Sequence, residues 1–113
     1  MGANTFFTTE LGEDAKTAFH LAVEEALYES GHGGYTGTIA EKSSFVMIEC
    51  PKGKNPSSFV DELVNNDDPR ISDKWGPDGC LDFTAEVKKR YRKAGRKWPR
   101  GKKAYLFFGW ASE

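Results

Sequence analysis

Residues able to do chemistry fall in two places. The first is Gly31-His32-Gly33-Gly34-Tyr35-Thr36-Gly37-Thr38-Ile39-Ala40-Glu41-Lys42, where four glycines fall within seven residues beside hydroxyls, a histidine and a lysine. Glycine permits positive φ and close approach of another group to the backbone. A phosphate-binding P-loop needs lysine and a hydroxyl after its last glycine, and the order strand then helix. Here Gly37 is followed by Thr38, and the order is helix then strand. The dinucleotide fingerprint fails in spacing and context as well. What survives is a backbone-rich segment that could hold an anion or a nucleobase, or a helix cap running into a bulged strand. The second place is Lys88 to Lys103. It holds ten of the sixteen basic residues and no acid, so it carries +10 and the rest of the chain −11. With Tyr91 and Trp98 among the cations, it suits phosphate contact combined with stacking. It could equally be a solvated arm paired with the acidic body.

Other candidates are weaker. Cys50 and Cys80 lack the companions of a zinc site, and read as reduced thiols. His20 sits one helical turn before Glu24, a surface pair. Asp67-Asp68 lies in turn composition and reads as a helix stop. No positioned nucleophile, base or metal motif occurs, so an enzyme is not the expected class and no cofactor is implied. No apolar run reaches the length of a membrane span, and the N-terminus lacks a signal-peptide pattern. A cytoplasmic protein without membrane contact is expected.

The elements that must position these residues follow from pattern. At 113 residues the chain is expected to form one domain, residues 1–113. Ala3 to Thr9 reads as a strand. Residues 13 to 30 read as a helix with one apolar face from Ala15 to Leu27, capped by Gly31. Tyr35 to Ala40 and Ser44 to Glu49 read as strands joined by a Glu41-Lys42-Ser43 hairpin, the second apolar on both faces and therefore interior. Asn55-Pro56 starts a second helix with Phe59, Val60, Leu63 and Val64 inward. Trp75 reads as a loop anchor. Cys80 to Val87 alternates as a strand, Lys88 to Lys103 forms a basic connection, and Ala104 to Trp110 is a last strand apolar on both faces. The expected fold is α+β, an antiparallel or mixed sheet with two helices on one face. Without the Cys80 strand it follows the βαββαβ pattern, elaborated by the basic connection.

Three segments, Gly31 to Lys42, Ser72-Asp73-Lys74-Trp75-Gly76-Pro77 and Tyr105 to Glu113, together resemble a group of short proteins encoded by tailed bacteriophages, with no assigned activity. The resemblance implies an infected bacterial cytoplasm and transfers no catalytic residues. By analogy of size and origin it suggests an accessory, anti-defence role. The leading expectation is a homo-oligomeric binding protein that sequesters a phosphorylated small molecule such as a nucleotide signal. His32, Gly33, Gly34, Tyr35 and Thr36 would supply polar contacts, and Lys42, Arg90, Arg92, Arg96 and Arg100 would neutralise phosphate. Alternatives are nucleic-acid binding through 88–103 and inhibition of an acidic host protein.

Overall fold

In the computed structural model, residues 2–30, 34 and 36–113 are described. The elements are β1 (Ala3–Gly12), α1 (Ala15–Ser30), a 3-10 turn (Ile39–Glu41), β2 (Phe45–Met47), α2 (Pro56–Asn65), β3 (Asp78–Asp82), α3 (Thr84–Lys93) and β4 (Lys103–Ser112). The sheet order is β1-β4-β3-β2. β4 pairs antiparallel with both β1 and β3, while β2 runs parallel to β3. The α+β class and mixed sheet expected from the sequence are present. No helix among the described residues is long and apolar enough to cross a membrane.

The last strand is central, which is why its apolar residues alternate onto two covered faces. Leu106 and Phe108 point to one core with Val60, Leu63 and Val64 of α2, and Val87 of α3. Tyr105, Phe107 and Ala111 point to the other, with Ala18, Phe19 and Ala22 of α1, and Ile39. Two helices thus share a face, and α1 covers the opposite one. Gly12 makes the β1–α1 corner possible: a Cβ there would stand 2.8 Å from the Ala18 backbone nitrogen.

Several local expectations are corrected. Tyr35 to Ala40 is not a strand where described. Thr38 Oγ1 accepts from Ala40 N–H, Thr36 Oγ1 donates to Glu41 Oε2, and these local bonds favour a 3-10 turn over a ladder. The segment 44–49 is no interior strand, and no hairpin precedes it. It contributes the three-residue edge strand β2, with Met47 53% exposed. The Cys80 strand stops at Asp82, whose carboxylate accepts from Thr84 N–H and Oγ1–H and turns the chain. Residues 84–93, split between that strand and the basic connection in the sequence reading, are helix α3, with Glu86 in its first turn and cations in its last. Trp75, expected as a loop anchor, is 65% exposed, with Lys74 Nζ 5.4 Å from its ring centroid. The cap expected at Gly31 lies outside the described residues.

Candidate functional site

α3 buries Val87 and packs Tyr91 one turn further on against the same core, leaving its cations outward. It ends in a Schellman motif: Arg96 N–H donates to Tyr91 O, Gly95 N–H donates to Arg92 O, and Gly95 has φ +69°. The turn that follows folds back on the helix. Trp98 Nε1–H donates to Lys102 O at 2.9 Å, and its ring meets Tyr91 edge-on at 5.0 Å. Lys88 lies over the Trp98 ring at 5.4 Å, and Arg96 over Tyr91 at 4.6 Å. Lys88, Tyr91, Arg92, Arg96 and Trp98 together line a crevice of about 300 Å³.

Every cation from Lys88 to Lys103 is exposed except the half-buried Lys102. Within that segment only Lys89 meets a carboxylate, Glu86, at 3.8 Å. The acidic body therefore does not neutralise this arm by ion pairing. Its cations stand on a surface that the rings and the Schellman cap hold in place. Because Lys88 and Arg96 already occupy ring faces, the aromatics support the cations here more than they offer an open stacking platform.

The glycine segment sits at the other end of the sheet. Of the expected site residues, His32, Gly33 and Tyr35 lie outside the described residues. Thr36 is engaged locally with Thr38 and Glu41. Gly34 has φ +78°, and a Cβ there would stand in ordinary contact with Glu41 Oε1 at 3.9 Å. Gly37 has φ +68°, and a Cβ there would crowd Asn4 and Glu113, while its N–H donates to Ser112 O. Packing therefore accounts for Gly37. Lys42 is 4% exposed, and its Nζ donates to the carbonyls of Asp73, Lys74 and Gly76 at 3.3, 3.2 and 2.9 Å. Lys42 thus ties its own segment to residues 73–76 through one buried ammonium.

β4 runs from Lys103 beside the basic turn to Ser112 beside Gly37, a span of about 30 Å at the rise of a strand. The structure brings Arg92 and Arg96 together at one end, with Arg100 in the same turn. It leaves Lys42 at the far end, bonded inward. Arg90 lies apart from both, over the Phe83 ring and beside Phe7 and Thr9.

Sequence reasoning missed Asp78, which is fully buried with no well-formed hydrogen bond to either carboxyl oxygen. Burial pushes its carboxyl up to about 8, against the attraction of Lys42. Nothing in Asp78-Gly79 distinguishes it from turn chemistry. Burial likewise pushes the Cys80 thiol up to about 12, which makes it a poor nucleophile. Among the described residues no group of His, Cys, Asp and Glu could hold a metal ion. No family model, curated protein or solved structure matches the chain.

Proposed function

We propose that the protein binds nucleic acid through the outer face of α3 and the turn 94–102. The observation that supports this reading is a run of ten cations of which one meets a carboxylate, on an ordered helix and turn. Such a surface suits the phosphate backbone, which is read by charge and shape. Lys88, Lys89, Arg92, Lys93, Arg96, Lys97 and Arg100 are the contact residues. In keeping with the phage resemblance, the setting proposed is the cytoplasm of an infected bacterium.

The test is fluorescence anisotropy with a labelled DNA duplex and a labelled single strand across a salt series. Affinity falls as salt rises, and replacing Lys89, Arg92, Lys93 and Arg96 together by Gln weakens binding by about tenfold or more at low salt. Folded protein that binds neither probe at low salt removes the reading. Polyglutamate competing as well as DNA would transfer the surface to an acidic protein partner.

The crevice beside Trp98 favours a second reading, capture of a phosphorylated small molecule by Lys88, Arg92 and Arg96. Its volume, about 300 Å³, is at the small end of ligand pockets. Titration calorimetry with cyclic and linear nucleotides distinguishes the two. A nucleotide that binds one per protomer and displaces duplex supports this second reading, and absence of heat removes it.

A further inference from the structure

The two edges of the sheet differ. β2 is three residues long, and a short edge offers little to pair with. β1 is ten residues long, Ala-Asn-Thr-Phe-Phe-Thr-Thr-Glu-Leu-Gly, with no proline or lysine and one charge, Glu10. One side of it pairs with β4. Among the described residues no other segment hydrogen-bonds its backbone. Phe7, on the α2/α3 face, is 50% exposed. Around it runs a groove lined at one end by Thr5, Asp67 and Trp110, and at the other by Thr9, Phe83 and Arg90; Asp61 of α2 stands between. A long edge with an exposed aromatic and unpaired backbone groups is a template for another strand.

We propose that β1 pairs antiparallel with β1 of a second copy about a two-fold axis at Phe7, giving a dimer with one continuous eight-stranded sheet. In a symmetric pair of this kind, opposed residues share a face. The axis at Phe7 sets Phe7 against Phe7 of the partner subunit, Thr5 against the partner's Thr9, and Asn4 against the partner's Glu10. Aromatic and Thr–Thr cross-strand pairs are favourable. An axis one residue further on would set Phe6 against the partner's Glu10 instead. The same rotation lays the Asp67 end of one groove beside the Arg90 end of the other. This charge complementarity, together with the self-matching register, identifies the occupant as a second copy. The dimer does not depend on the nucleic-acid reading, since β1 contributes none of the proposed phosphate contacts.

Sedimentation equilibrium at roughly 100 μM protomer is expected to give twice the 12.6 kDa chain mass. Phe7→Glu places two carboxylates at the axis and weakens the dimer by about a hundredfold or more, with an unchanged far-UV spectrum. Should that variant fail to fold, cysteine oxidation replaces it as the test. In a Cys50→Ser background, Phe7→Cys brings two Cα atoms to about 4.5–5.5 Å, within disulfide range, and cross-links readily. Thr9→Cys leaves the two thiol-bearing positions about 13 Å apart along the strands and does not. A wild-type mass of one chain overturns the proposal. So does an oligomer indifferent to Phe7→Glu, or equal oxidation at positions 7 and 9.

Discussion

The two ends of β4 use lysine in opposite ways. At the Ser112 end, Lys42 is buried and all three of its donors reach backbone carbonyls of residues 73–76. At the Lys103 end, the cations of α3 and its turn other than Lys102 are exposed and, apart from Lys89, meet no carboxylate among the described residues. Burial of an ammonium is costly unless hydrogen bonds replace its water, so Lys42 ties its own segment to residues 73–76 in one arrangement. An exposed ammonium keeps its water and adds little to stability, so the α3 cations remain available to a partner. Identical side-chain chemistry is thus structural at one end and suited to binding at the other. The difference is set by whether carbonyls or solvent surround the charge.

The contrast is broken most directly at Lys42. Lys42→Met keeps the stem but strands the Lys74 and Gly76 carbonyls, takes one of two donors from Asp73 O, and removes the cation attracting Asp78. A loss of about 3–5 kcal/mol is expected in urea unfolding. A loss under about 1 kcal/mol would mean that the ammonium is not the tie described.

Asp78 sharpens the same end through pH. Its carboxyl is raised from an ordinary 3.8 to about 8, so the folded protein holds this proton where the unfolded chain has released it. Stability is therefore highest near pH 4 and falls as pH rises towards 8. Glu10, raised to about 6 by burial and by Glu25 alongside, adds a slope of the same sign that is complete by about pH 6. Lys42, lowered by burial, acts with the opposite sign, in a window that ends at its ordinary 10.5. Asp78→Asn should flatten the decline between pH 6 and 8 and leave below pH 6 only the shallower part that Glu10 supplies. Midpoints of denaturation at four pH values check this, and an unchanged slope above pH 6 would assign it elsewhere.

Legibility followed where the physics was local. Asn55 caps α2 by accepting from Ser58 N–H, and Pro56 opens it, as the sequence indicated. β4 was readable because apolar residues filled both parities of a strand, which happens when both faces are covered. α3 was not readable from its polar run: its inward positions are Phe83, Val87 and Tyr91, and the first two also fitted a strand of alternating residues. The stop at Asp82 depends on a side chain bonding to Thr84, a contact that Asp-Phe-Thr does not announce. Lys42 is withheld from the expected anion site for a non-local reason. Lys42 looked available beside glycines and hydroxyls, but the carbonyls that claim it come from residues more than thirty positions away.

A smaller effect tests whether the basic end is an ordered surface. Trp98→Phe removes the bond to Lys102 O while keeping a ring beside Tyr91. A cost of about 1 kcal/mol is expected. If the turn holds the cations in place, affinity for duplex falls in this variant although no charge has changed. Equal affinity would mean that charge alone matters and order does not.

The smallest effect on stability, and the sharpest on the comparison, belongs to Arg92→Gln and Lys93→Gln. Both residues lie in the last turn of α3, where a cation is favoured by the helix dipole by a few tenths of a kcal/mol. Both also stand among Lys88, Lys89 and Arg96, whose repulsion opposes that gain. The two contributions are similar in size, so unfolding free energy should move by no more than about 0.5 kcal/mol. Binding responds differently, because each phosphate left without its cation lowers the slope of log affinity against log salt by about 0.9. A variant that folds as before but binds duplex with a reduced salt slope separates the partner-facing cations from the structural one. An unchanged slope would move the phosphate-binding surface off the last turn of α3 and onto the 96–103 turn.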